Sequence, residues 1–170
     1  DLFVRFNGVG HGYYLWINGQ RIGYSEDSYL PSECNITQYL VEGENTIALQ
    51  VFRFTSGSFL ECQDYWRLTG IHRSCFLWAA PKSQIRDYFF NPNLNSSLTG
   101  AKSNVKVTLT GVNAISEGTL DVCLMSNGEV VAQNSKTVAA NLSFTLTVSV
   151  PKLWSAETPN LYDLVLTLKD

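Results

Sequence analysis

Charge is what this sequence has least of. Asp, Glu, Lys and Arg make up only 16% of its 170 residues, and the net charge is −3, where an average globular chain carries roughly a quarter charged residues. No block of Lys or Arg occurs, so the electrostatic footprint of a nucleic-acid binder is missing. No apolar run approaches the roughly 20 residues that a membrane-spanning helix needs. Neither nucleic acid nor a membrane is expected as a partner. The four cysteines, Cys34, Cys62, Cys75 and Cys123, show no C-x-x-C spacing, which removes the usual zinc and thioredoxin-type signatures. Two disulfides in three connectivities, or free thiols, stay open. His11 and His72 are the only histidines and have no ligand-spaced partners for a transition metal. There is no G-x-S-x-G nucleophile elbow, and Gly8-Val9-Gly10-His11-Gly12 has neither the G-x-G-x-x-G spacing nor a helix to follow it. Residues 1–8 lack the basic and apolar regions of a signal peptide and read as a strand ending in an Asn-Gly turn. A chain starting inside a strand is expected to be a piece of something longer. No targeting or transmembrane segment marks a compartment, so localisation stays unknown.

What is present is a β-protein. Hydrophobic residues make up 45% of the chain, enough to close a core, and 16 Ser, 13 Thr and 13 Asn supply a polar but neutral surface. Leu142, Phe144, Leu146, Val148 and Val150 alternate with Ser and Thr, the pattern of a strand buried on one face. Val105, Val107 and Leu109 repeat it. Asn18-Gly19 between Tyr13–Ile17 and Gln20–Tyr24 predicts a hairpin with a type I′ turn, and Asn127-Gly128 predicts a second. Further strands are expected at 46–54, 71–79, 85–90 and 161–168. Helix signals are confined to a turn or two after Asn35, a candidate N-cap. Composition changes near Pro81: aromatic-rich strands with long loops precede it, and short strands with short turns follow. The reading is all-β, with one unit at 1–81 and an immunoglobulin-like or fibronectin III-like sandwich at 82–170. Six strands are visible in the latter, which leaves room for a closing strand beyond Asp170.

The longest irregular stretch runs from Thr55 to Gly70, and a loop of that length in a β-domain is usually functional. Its contents suit sugar binding. Tyr65 and Trp66 offer flat faces for the C–H side of a pyranose, and Glu61 and Asp64 offer oxygens to its hydroxyls. The structural alternative has Trp66 plugging the end of the core and Arg67 paired with Glu61. Glu61 and Asp64 do not read as a catalytic pair. A glycosidase needs two carboxyls flanking the bond, about 5–5.5 or 6.5–9.5 Å apart, and these project from one loop. Glu26-Asp27 reads as a solvated acidic turn rather than a calcium site. Asn35-Ile-Thr, Asn95-Ser-Ser and Asn141-Leu-Ser match the glycosylation sequon, as chance allows in a chain rich in these residues.

Asp64-Tyr65-Trp66-Arg67-Leu68-Thr69-Gly70-Ile71-His72-Arg73 resembles the β-galactosidases of glycoside hydrolase family 2. Other stretches fall in the same order: Tyr14-Leu15-Trp16-Ile17-Asn18-Gly19, Gly23-Tyr24-Ser25-Glu26-Asp27-Ser28, Leu30-Pro31-Ser32-Glu33, Gly43-Glu44-Asn45 and Gly57-Ser58-Phe59-Leu60-Glu61. Pro151–Tyr162 is similar to the segment that closes the family's immunoglobulin-like domain. Related glucuronidases carry an Asn-Tyr-Ala-Gly-like loop where this chain has Trp-Arg-Leu-Thr-Gly, which favours a galactosidase.

The resemblance implies the C-terminal part of a jelly-roll, galactose-binding-like domain followed by most of an immunoglobulin-like one. The family's (β/α)₈ barrel, with both catalytic glutamates, lies outside these residues. The 170 residues alone are therefore expected to be inactive, while the parent hydrolyses terminal β-galactosides with retention. By the same resemblance Asp64 reaches the barrel mouth and contacts galactose and a sodium ion, a hard cation suited to a carboxylate. Glu61, Trp66 and Arg67 support the loop, and magnesium is allowed in the parent. The implied partners are a β-galactoside, the barrel of the same chain and, as an option, further copies in a homo-oligomer. In well-known bacterial members the immunoglobulin-like domain sends a long loop into a neighbouring subunit's site; here Ser135–Asn141 looks too short to do so. Arg73-Ser74-Cys75 departs from the family's Arg-Asp at that point. The alternatives are a stand-alone carbohydrate-binding β-sandwich protein without hydrolase activity, and a purely structural sandwich pair.

Overall fold

The computed structural model describes every residue of 1–170 except Ser28, Cys62, Gln63, Tyr65 and Ser116, and omits the side chain of Glu61. The chain divides into two compact units, Asp1–Pro81 and Lys82–Asp170. All strand pairs are antiparallel.

In the first unit the described strands are β1 (Leu2–Phe6), β2 (Val9–Gly10), β3 (Gly12–Ile17), β4 (Gln20–Ser25), β5 (Ser32–Asn35), β6 (Ile47–Phe52), β7 (Gly70–Ile71) and β8 (Cys75–Ala79). They form sheets β5-β1-β8 and β4-β3-β6 and a two-stranded ribbon β2-β7. Asn18 and Gly19 both take positive φ, 49° and 80°, so the β3–β4 turn is the one the dipeptide predicts. Val4 and Phe6 of β1 pack with Tyr13, Leu15 and Ile17 of β3 and with Ile36 in one buried cluster. Phe3, on the other face of β1, stacks on Trp78 of β8 with ring centroids 4.7 Å apart. β1 thus carries an apolar residue on each face, with Arg5 beside Phe3 on the second, and so shows no simple alternation.

Three expectations change here. The first strand ends at Phe6, but Asn7-Gly8 makes a bend rather than a turn of the Asn18-Gly19 kind. Neither residue takes positive φ, and the chain runs on from β1 into β2, which belongs to another sheet. Gly8 instead lies close against the His72 ring, whose Nε2 would be 2.7 Å from a Cβ there and would have to move aside. The strand expected at 71–79 is two strands, since Asn7 N–H bonds Ser74 O at 3.0 Å and hands the chain from β7, paired to β2, to β8, paired to β1. The turn after Asn35 is a single 3₁₀ turn, Thr37–Tyr39, with Ile36 at its N-cap. Asn35 Oδ1 still accepts from the Thr37 N–H at 3.0 Å, the bond an Asx side chain offers before a helical turn.

In the second unit the described strands are β9 (Gln84–Asn91), β10 (Gly100–Thr110), β11 (Thr119–Ser126), β12 (Glu129–Thr137), β13 (Asn141–Ser149) and β14 (Asp163–Lys169), in sheets β13-β10-β9 and β12-β11-β14. Val105, Val107 and Leu109 of β10, Leu120, Val122 and Leu124 of β11, and Phe144, Leu146 and Val148 of β13 make one core, with Leu164, Leu166 and Leu168 of β14 against it. The alternation read in the sequence is the inner face of a sandwich. Val150 falls outside it: with φ 52° it ends the strand and stands 77% exposed. Asn127 and Gly128 repeat the positive-φ turn at 52° and 83°. Only residues 138–140 connect β12 to β13. No helix among the described residues is long and apolar enough to cross a membrane. Cys34, Cys75 and Cys123 are unpaired; Cys62 lies outside the described residues.

Candidate functional site

The stretch 55–70 is not wholly irregular. It contains one turn of helix, α1 (Ser58–Glu61). The fully buried Ser58 starts it: its Oγ accepts from the Thr55 N–H at 2.8 Å, while its own N–H donates to Thr55 O at 3.2 Å. A small hydroxyl is what this enclosed corner accommodates.

Both ends of the loop are tied down. At its start, Ser56 Oγ donates to Glu26 Oε1 at 2.5 Å, and the Tyr24 hydroxyl donates to Glu26 Oε2. These two bonds, Ser56 first, hold the Glu26 carboxyl below its ordinary value, and the same carboxylate pushes the Tyr24 phenol up to about 12. Both Glu26 oxygens are therefore engaged within the protein, and the residue acts as a clamp on the loop. At the other end the Thr69 hydroxyl donates to Gly10 O at 2.7 Å, and Gly70-Ile71 pairs with Val9-Gly10 in the ribbon.

Between these anchors, Asp64 is exposed and makes no hydrogen bond or ion pair with another described residue. Trp66 is 81% exposed, so it does not plug the core as the structural alternative required. Arg67 is half-buried, with its guanidinium 5.8 Å from the Phe54 ring centroid and 5.7 Å from that of Phe59. This is cation–π packing that fixes the loop from below. The ring of Tyr65, the side chain of Glu61 and hence any Glu61–Arg67 pairing lie outside the described residues. Phe59, Leu60 and Leu68 are exposed alongside Trp66. Among the described residues no group of three or more His, Cys, Asp or Glu side chains is placed to hold a metal.

The role of Glu26 was not read from the sequence. Tyr24 and Glu26, two residues apart on an extended chain, share a side and were legible as a pair. Ser56 lies 30 residues away, and only the fold brings it to the carboxylate.

Comparison with known proteins identifies the family of these two all-β units. Residues 1–81 match the model described as glycosyl hydrolases family 2, sugar binding domain, and residues 83–170 match glycosyl hydrolases family 2. The chain belongs to glycosyl hydrolase family 2. It is 39% identical to a β-galactosidase of Priestia megaterium over 99% of its own length and 17% of that protein's. A β-galactosidase of Enterobacter cloacae is 41% identical over 97% of the chain and 17% of the relative. The chain therefore spans about a sixth of the length of the curated relatives it matches. Among solved structures, an FMN-binding β-glucuronidase from Faecalibacterium prausnitzii L2-6 superposes with a TM-score of 0.86 at 20% identity, covering 99% of this chain and 27% of that one. A family 2 member from Bacteroides cellulosilyticus gives 0.81 at 22%, covering 99% and 24%. At that identity these structures speak for the fold alone.

Proposed function

We propose that this chain is the sugar-binding and immunoglobulin-like portion of a β-galactosidase, and that Asp64 is its direct contribution to the sugar site. The observation that carries the reading is an exposed carboxylate, free of partners among the described residues, on a loop clamped at both ends. A carboxylate so held accepts hydrogen bonds from sugar hydroxyls without first breaking an internal bond. Beside it Trp66 offers an open face to the apolar side of a pyranose. Phe59, Leu60 and Leu68 form an apolar rim suited to the barrel of the parent, which supplies the acid/base and the nucleophile for retaining hydrolysis. The 170 residues carry neither of those two groups and are inactive alone.

Galactose rather than glucuronate is supported by the Trp66-Arg67-Leu68-Thr69-Gly70 loop and by relatives called β-galactosidases. Asp64 also suits a sodium ion: it is a hard oxygen donor, and a bound cation there would orient a sugar hydroxyl. A single carboxylate is one ligand, so the remaining donors come from other parts of the parent. Magnesium in the parent has no cluster of ligands among the described residues here. Assembly is proposed to be independent of loop exchange, because a connection of residues 138–140 is too short to reach a neighbouring subunit.

The test is Asp64→Asn in the full-length parent, assayed on aryl β-galactosides and β-glucuronides. Losing a charged hydrogen-bond acceptor predicts a roughly ten- to hundredfold fall in kcat/KM on the galactoside with unchanged thermal stability. Replacing sodium by choline should raise KM in the wild type and not in the variant. Near wild-type kinetics in the variant, or preference for the glucuronide, refutes the reading.

A further inference from the structure

The second unit holds a cavity of about 200 Å³ that the sugar site does not use. Phe90, Leu124, Val148, Trp154 and Tyr162 wall it, so it is aromatic and aliphatic on nearly every side. Ser103, Lys152 and Asn160 break that pattern, and of these three only Ser103 is buried. Ser103 stands on the inward row of β10, in line with Val105 and Val107, and is only 2% exposed. Among the described residues its hydroxyl has no hydrogen-bond partner. No side-chain polar atom sealed from solvent lacks a partner among the described residues, so the Ser103 oxygen is open to the cavity, where a Val or Ala at the same inward position would present no polar atom.

The mouth is built rather than loose. Trp154 sits on the 151–160 segment, bridged to Pro159. Ser155 and Thr158 exchange backbone and side-chain bonds, with Ser155 N–H to Thr158 O and Thr158 N–H to Ser155 Oγ both at 3.0 Å. Asn160 Nδ2 donates to Leu153 O at 2.8 Å, and Tyr162 Oη accepts from the Lys152 N–H at 2.7 Å. The Asn160 amide and the Tyr162 hydroxyl are thus engaged in holding the segment. Trp154 remains 63% exposed over the opening.

We propose that this cavity is a binding site for a small aromatic molecule of phenol size, with its ring between Trp154 and Phe90 and its hydroxyl bonded to Ser103. The volume suits one ring, since an apolar protein cavity of about 150 Å³ holds benzene. The aromatic walls favour a flat π-system over an aliphatic chain. Ser103 both donates and accepts, so it pairs with a phenolic hydroxyl in either direction.

The test is fluorine NMR on the chain labelled with fluorotryptophan, which reports Trp16, Trp66, Trp78 and Trp154 separately, the last assigned with Trp154→Phe. Phenol should shift the Trp154 resonance saturably and leave the other three in place. Ser103→Ala should weaken phenol roughly three- to tenfold while toluene binds as well as before. Ser103→Val, which fills the space, should abolish both, and dispersion of the remaining resonances shows that each variant is folded. Absence of a saturable Trp154 shift in the wild type, equal shifts at all four tryptophans, or phenol affinity unchanged in Ser103→Ala overturns the proposal.

Discussion

Asn18 and Asn127 sit in the same dipeptide, in the same kind of turn, with φ of 49° and 52°, yet replacing them should cost different amounts. Alanine at either position must adopt the left-handed conformation, at about 1 kcal/mol. At Asn127 that is the whole effect, because its side chain bonds no other described residue. Asn18 does more: its Nδ2 donates to Tyr39 O at 2.9 Å and to Asn45 Oδ1 at 2.8 Å, and its Oδ1 accepts from the Thr46 N–H at 2.9 Å. It knots the β3–β4 turn to the turn that precedes β6. Each of these exposed bonds contributes about 0.5 kcal/mol. Asn18→Ala should then cost about 2.5 kcal/mol and Asn127→Ala about 1 kcal/mol. Glycine separates the two causes, because it accepts positive φ freely: Asn18→Gly should still cost about 1.5 kcal/mol and Asn127→Gly close to nothing. The measurement is urea unfolding of each unit. In a Trp154→Phe background tryptophan fluorescence reports the first unit alone, since Trp16, Trp66 and Trp78 all lie there. Equal losses for Asn18→Ala and Asn127→Ala, or a neutral Asn18→Gly, would refute the reasoning.

The Glu26 clamp should loosen with acid. Its folded pKa lies below the ordinary 4.5, so its contribution is complete above that value and is lost as pH falls through the lowered one. Amide exchange of residues 55–60 should therefore speed up in Glu26→Gln at neutral pH, and wild type should match the variant only in strong acid; identical exchange at pH 7 would show that the clamp holds nothing. Phe144→Ala, at a ring 2% exposed in the second core, should cost about 3–5 kcal/mol in the unfolding of the second unit. Asp64→Asn should leave the unfolding of either unit within about 0.5 kcal/mol of wild type, since the carboxylate is exposed and unpartnered among the described residues. A larger loss would mean that the carboxylate holds the fold.

The features legible in the sequence are those decided within a few neighbouring residues. Both Asn-Gly turns need only the φ of two residues, and the inward rows of β10 and β13 need only the two-residue period of a strand. Both were therefore readable, as was the all-β class. Asp64, Trp66 and Arg67 stood out through a resemblance carried by local motif, but their surroundings did not. Asn7-Gly8 carries the same dipeptide as the two hairpins and makes none, because the partner of β2 is β7, more than sixty residues later in the chain. Strand β5 has no alternating signature and exists because β1 offers it an edge. Ser56 reaching Glu26, Arg67 lying over Phe54 and Phe59, and Ser103 left alone in an aromatic cavity are all products of long-range packing. By itself the sequence determined the turns, the buried faces and the identity of the loop that bears Asp64, since backbone φ preference and side-chain period are local properties. Only the tertiary structure decided which strands pair and which polar groups find partners, because those outcomes depend on register between segments that sequence proximity does not constrain.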